Sequence, residues 1–275
     1  MFSHLLSIGP LSVFCLALFA GAFTNGLAGL AFAAVSGGFV LMLLPAQSTV
    51  AILASGGLLL QVCNNIHYVK EIQWRRIAIY VIPGFAGIPL GHHLLQVLPK
   101  PIIALMFGIV LLVYVVWTLF RKPVPENDFG GRIGEVIAGF IDGLFAGLLA
   151  LPGIPVIIWS NLRGYGKAQQ RALSVPINFL LLLGSMAMFG FKGNLANPVT
   201  QVHLLVAVPV ALLGWSIGVR CFGRISEVNF RRFISGVLVI SGFALVIPSA
   251  NTLLAQHNPM PQSHTVSVGS VKPAA

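Results

Sequence analysis

Acid is scarce in this sequence: six Asp and Glu stand among 275 residues, and charged residues of both signs make up only 8% of the chain. A water-soluble chain carries about a quarter of its residues as charges. A hydrated surface is therefore excluded, and with it the ordinary soluble enzyme or binding module. The shortage also argues against a cation carrier, which needs several carboxylates or histidines at membrane depth. Only Asp142 qualifies, inside the apolar stretch from Val136 to Leu151.

Cysteine is scarce too. Cys15, Cys63 and Cys221 lie far apart within apolar segments, without CxxC spacing, and read as core-filling thiols. No GxSxG, HExxH or P-loop motif is present, so neither an enzyme nor an ATP-driven pump is indicated, and no cofactor or metal site is expected. Residues 1–10 contain no Lys or Arg, and the apolar run behind them continues past residue 40, which speaks against a cleaved signal peptide.

What the chain does have is hydrocarbon: 57% of residues are hydrophobic and the mean hydropathy is +0.92. Lipid is its solvent. A net charge of +10 would suit a nucleic-acid partner if the bases were clustered on one soluble element, but they sit between apolar runs. That is how Lys and Arg hold loops on the cytoplasmic side of a membrane. The expected setting is a membrane, with the bilayer as partner, no nucleic acid, and homo-oligomer formation left open.

Apolar runs fall at 10–45, 48–68, 77–96 and 101–120, then again at 133–162, 172–191, 202–222 and 229–250. Taken as eight single spans, they put seven basic residues on one side and eight on the other. If the first run of each set turns back on itself at its glycines, thirteen basic residues share one side and only Lys100 and Lys192 oppose them. The positive-inside rule selects the second reading, with both termini outside and the central loop in the cytoplasm. The two hairpin runs, 36 and 30 residues, are shorter than the roughly 40 that two full spans need, so they are broken or re-entrant. The expected organisation is a first membrane repeat at 1–120, a cytoplasmic linker at 121–132, a second repeat at 133–250 and a disordered tail at 251–275.

Paired marks indicate duplication. Asn25-Gly26 answers to Asp142-Gly143, Ser36-Gly37-Gly38 to Leu151-Pro152-Gly153, Ser55 to Ser174, and Gly87xxxGly91 to Gly214xxxGly218. Five crossings per unit is an odd number, so the second copy enters from the opposite face. The fold class is an all-α polytopic membrane bundle of two inverted repeats, with a site expected near the midplane where unwound segments meet. The glycine-rich broken first helix, the Ser- or Asn-bearing next helix and the late GxxxG, each present twice, resemble the sulfite exporter TauE/SafE family over roughly residues 12 to 250. That resemblance implies a permease of the inner (plasma) membrane for sulfite, sulfonates and related sulfur anions.

For substrate binding the candidates are Asn25, Gly37, Gly38, Ser55, Asn64, Gly153, Ser174 and Asn178. The glycines would expose N–H groups at a helix start, where the dipole favours an anion. They would serve equally to permit a turn and close packing. Gln61 joins the polar candidates on its helix. An ionised carboxylate at depth costs on the order of 2.5–3.5 kcal/mol, so Asp142 reads as a proton carrier or, alternatively, as a helix cap or partner of Arg132 or Arg163. Arg171 could attract an anion or simply anchor its helix. His92 and His93 are placed at an outer helix end, and His67, Tyr68, Trp74 and Tyr80 as interfacial anchors. The function expected is alternating-access export of a small sulfur-containing anion. The alternatives are a permease for an organic acid or metal ion, or a membrane assembly factor.

Overall fold

With no water to take up a stray N–H or C=O, a chain in hydrocarbon must satisfy its backbone internally, and an apolar run does so by coiling into an α-helix. The computed structural model describes residues 8–28, 31–65, 74–120, 125–127, 130–191, 198–221 and 227–257. These residues contain ten α-helices and no strand. In chain order they are α1 (Ile8–Ala28), α2 (Phe32–Leu43), α3 (Ala46–Asn65), α4 (Trp74–Val97), α5 (Lys100–Phe120), α6 (Gly131–Leu149), α7 (Ile154–Leu162), α8 (Lys167–Phe191), α9 (Pro198–Cys221) and α10 (Glu227–His257).

Seven of them, α1, α3, α4, α5, α8, α9 and α10, are long and apolar enough to cross a membrane. This is a multi-pass membrane protein. Large apolar side chains such as Val113, Val116, Leu205 and Leu213 face outward, as lipid contact requires. Helix α6 has 19 residues but carries Arg132, Glu135 and Asp142. Helices α2 and α7, with 12 and 9 residues, rise about 18 and 14 Å, well short of the roughly 30 Å hydrocarbon layer.

Both glycine-interrupted runs fold back. Gly21 of α1 lies so close to Ser36 and the Phe32 carbonyl of α2 that a Cβ there would collide with them, whereas fifteen residues of unbroken helix would hold the two about 22 Å apart. In the second run, Gly134 of α6 abuts Trp159 of α7, and Asp142 of α6 accepts a hydrogen bond from the N–H of Gly153. The residue before each short helix, Ala31 and Gly153, is in the left-handed region, at φ 84° and 101°.

The helices then sort into groups that ignore sequence order. Helix α4 runs parallel to α6, with Gly84, Gly87 and Gly91 against Gly139, Gly143 and Gly147. Helix α9 runs parallel to α1, with Gly214 and Gly218 against Phe19, Phe23 and Gly26. Small residues one turn apart let the backbones touch, the main source of helix association where lipid removes the hydrophobic drive. The two GxxxG pairs thus each bind the first helix of the opposite half. One bundle comprises α1, α2, α3 and α9. The other comprises α4, α6, α7 and α8 and has its own core of Ile77, Tyr80, Ala146, Val156, Ile177 and Leu181 among others. Helices α5 and α10 pair antiparallel, Gly108 beside Leu245 and Val246, and Leu112 beside Gly242. Between the bundles α3 crosses α8, also antiparallel: Gly57 meets Leu182 and Ser55 meets Met186.

This exchange corrects two placements. Tyr80 is not an interfacial anchor but fully buried, because its face of α4 lies on Gly139 of α6. His92 is likewise buried, its ring edge-on to Phe189 of α8 at 4.2 Å between centroids, while His93 is exposed. Trp74 is exposed at the start of α4. The anchors His67 and Tyr68 lie outside the described residues, and α10 continues through Asn251–His257, where the tail was expected to begin.

Candidate functional site

The starts of α2 and α7 meet. Residues Ala31 to Ala34 and Ala150 to Ile154 face each other across a cavity of about 50 Å³, completed by Asn25, Gly57, Gln61, Tyr114, Ile157, Asn178 and Leu182. A water needs roughly 10–15 Å³ on this measure, so the space holds a group of about three to five non-hydrogen atoms. Among the described residues, none that lines it is acidic, basic or histidine. Two helix N-termini, each equivalent to about half a positive charge, therefore supply the field.

The amides are oriented by a relay. The indole of Trp215 on α9 can only donate, and its Nε1–H bonds Asn64 Oδ1 at 3.0 Å. Asn64 must then present its NH₂ to Asn25, which accepts through Oδ1 at 2.8 Å. Asn25 is thereby held with oxygen toward α3 and its NH₂ turned elsewhere, the donor an anion would use. Opposite it, Asn178 is 3% exposed and its Oδ1 has no hydrogen-bond partner. Buried amide groups are rarely left so. A half-turn of this amide exchanges oxygen for NH₂ and offers a donor to the cavity.

Gly153 separates Asn178 from the α7 turn. A Cβ on it would stand 2.7 Å from Asn178 Nδ2 and 2.8 Å from Oδ1, and its φ of 101° disfavours any L side chain. Its N–H does not point at the cavity, however. It donates to Asp142 Oδ1 at 2.6 Å, so the carboxylate caps α7 from behind, completely buried, with Oδ2 unpartnered. The N-cap of helix α2 is Ala31, whose methyl side chain cannot itself cap the helix.

Of the expected site residues, the structure gathers Asn25, Gly153 and Asn178 around the cavity, with Asn64 and Asp142 directly behind them. It does not gather the others. Gly37 and Gly38 lie in the middle of α2 rather than at its start, pressed against Phe107 of α5 and Ser241 of α10, so they are packing glycines. The counterpart of Gly153 is Ala31. Ser55 bonds the Ala51 carbonyl and Met186. Ser174 is buried with no bond to its hydroxyl but away from the lining, and Arg171 is half-buried in the first turns of α8.

One buried charge was not expected. Glu135 of α6, 3% exposed, bonds Arg163 at the end of α7 at 2.7 Å and lies 3.8 Å from Arg76 of α4. Arg76 also bonds the Tyr165 hydroxyl, and both guanidiniums lie over the Tyr165 ring. This closed cluster ties α4 to the second hairpin, and it leaves Arg163 committed to Glu135 and not to Asp142.

Seven apolar spans, with the starts of two short helices facing each other across an amide-lined pocket, define a polytopic helical membrane protein. Comparison with known proteins narrows the class. The family described as sulfite exporter TauE/SafE matches residues 13–245, and the chain belongs to it. A protein of Cupriavidus necator named probable sulfite/organosulfonate exporter TauE is 23% identical over 210 residues, covering 75% of this chain and 81% of that protein. No solved structure matches.

Proposed function

We propose that the protein exports a small sulfur-containing anion, sulfite or a sulfonate, with the anion seated between the starts of α2 and α7. The observation that carries this reading is the cavity itself: two helix N-termini converge on a space of sulfite size that holds amide groups and no cationic side chain. A site made of partial charges binds an anion without holding it as a fixed guanidinium would, which suits a carrier that must release its load. Phe32, Ile154 and Leu182 give the pocket an apolar wall for the alkyl part of a sulfonate.

Movement follows from the helix grouping. The two bundles, α1–α2–α3–α9 and α4–α6–α7–α8, each keep one short helix, and α3 against α8 is their main direct contact. Rocking one against the other opens the cavity to alternate sides. The matched pairs α4 with α6 and α9 with α1, and the antiparallel courses of α5 with α10 and α3 with α8, support a pair of inverted repeats. The basic loops then face the cytoplasm. Asp142 is the proton carrier of this scheme, since its bond to Gly153 links its charge to the geometry of the α7 turn.

Purified protein in liposomes loaded with sulfite or methanesulfonate should release the anion, faster with an opposing proton gradient. Asp142→Asn keeps the acceptor for Gly153 and should leave a flux indifferent to that gradient. Absence of flux for every sulfur anion under any gradient overturns the proposal.

A further inference from the structure

We infer that the pocket holds one negative charge at a time, either the Asp142 carboxylate or the transported anion, so that the carrier takes univalent anions and rejects divalent ones. The inference rests on the transport reading above and names its substrate class: a sulfonate or hydrogensulfite, and not sulfate or the sulfite dianion.

The two N-termini together supply about one positive charge. Among the described residues no Lys, Arg or His lines the cavity, and the guanidiniums of Arg76 and Arg163 are gathered around Glu135. Asp142 stands behind the α7 turn, its Oδ1 on the Gly153 N–H and its Oδ2 without a partner. An ionised Asp142 therefore cancels the field that an anion would use. A neutral Asp142 leaves room for a single charge, whereas a second would remain unbalanced in a medium of low dielectric. Asn178, buried and with its amide oxygen unpartnered, marks the open seat from the side of α8. The counterpart of Asp142 in the first half is Asn25, a neutral residue with the same shape. The two halves thus offer equivalent anion seats, of which the protein fills one with its own carboxylate.

Both positions can be exchanged without changing shape. Asp142→Asn retains the acceptor for Gly153, and Asn25→Asp retains the acceptor for Asn64. In proteoliposomes, sulfate should compete with methanesulfonate at least about 100-fold more weakly than unlabelled methanesulfonate does. Asn25→Asp, with two carboxylates, should lose at least about nine-tenths of methanesulfonate flux. The double variant Asn25→Asp with Asp142→Asn returns the count to one and should recover the flux and the discrimination. Sulfate competing within about threefold of methanesulfonate on the wild type overturns the inference while leaving transport intact, as does a double variant that stays inactive although both single exchanges elute as monodisperse protein. If Asn25→Asp fails to fold, the wild-type competition decides alone. A wild type that moves no anion fails the transport reading itself.

Discussion

Replacing Gly153 by Ala adds one methyl group at the point where strain, packing and the site coincide. The backbone there has φ 101° and ψ −25°, outside the range an L residue adopts without strain. The added Cβ would stand 2.7 Å from Asn178 Nδ2. Conformational strain of this kind costs about 1–3 kcal/mol, and overpacking about as much again, so a loss of about 2–6 kcal/mol of stability is expected. Asn178 must shift from its seat at the cavity to admit it. A lost hydrogen bond to a charged ligand is worth about 1.5–3 kcal/mol, which raises the half-saturation concentration for sulfite roughly 10- to 150-fold. The assay is paired: thermal melting of the purified protein, and sulfite efflux from proteoliposomes over a range of concentrations. Gly166→Ala is the control, at an exposed position where a Cβ meets nothing within 4 Å. Unchanged melting together with a half-saturation concentration within about twofold of wild type would refute the reasoning.

Three further outcomes follow from other parts of the structure. Trp215→Phe removes the donor that orients Asn64 and through it Asn25, so sulfite affinity should fall about 5- to 100-fold although Trp215 does not line the cavity; an unchanged affinity means the relay orients nothing. Glu135→Gln leaves the buried Arg163 without its counter-charge and should destabilise by about 3–5 kcal/mol, read as a loss of melting temperature and of folded yield. Ser55→Cys with Met186→Cys, introduced where the two side chains touch at 3.2 Å and after replacing Cys15, Cys63 and Cys221, allows α3 to be tied to α8 by a short thiol cross-linker. Cross-linking should stop transport and reduction should restore it; full flux in the cross-linked protein rules out motion between these bundles.

Much of the architecture was legible because hydrocarbon imposes a simple code. Apolar runs marked the spans, and the distribution of Lys and Arg picked out the first run of each half as one that turns back, as Gly21 against Ser36 and Asp142 against Gly153 do. The pair Asn25 and Asp142 was visible as a recurrence. The hinges were harder. Ala31 and Ala150 take left-handed conformations with φ of 84° and 52°, and alanine carries no signature for that. Gly37 and Gly38 drew the hinge assignment by composition, whereas they serve close packing on Phe107 and Ser241. The relay from Trp215 to Asn64 spans 151 residues of sequence and has no local trace. Tyr80 and His92 were read as peripheral because each lies near a helix end or a charged loop, and Glu135, three residues from Arg132, carries no mark of burial in the sequence. Their burial follows from α4 packing between α6 and α8, an exchange between halves that periodicity along one helix does not encode.

The central claim is the location of the anion. Selenite has the shape and charge of sulfite and carries an anomalous scatterer, so diffraction from selenite-soaked crystals reports its position directly. The account predicts an anomalous peak between residues 31–34 and 150–154, within hydrogen-bonding distance of Asn25 and Asn178, that weakens when methanesulfonate is added. A peak elsewhere in the bundle, or an empty cavity at a selenite concentration that blocks sulfite efflux, would contradict it.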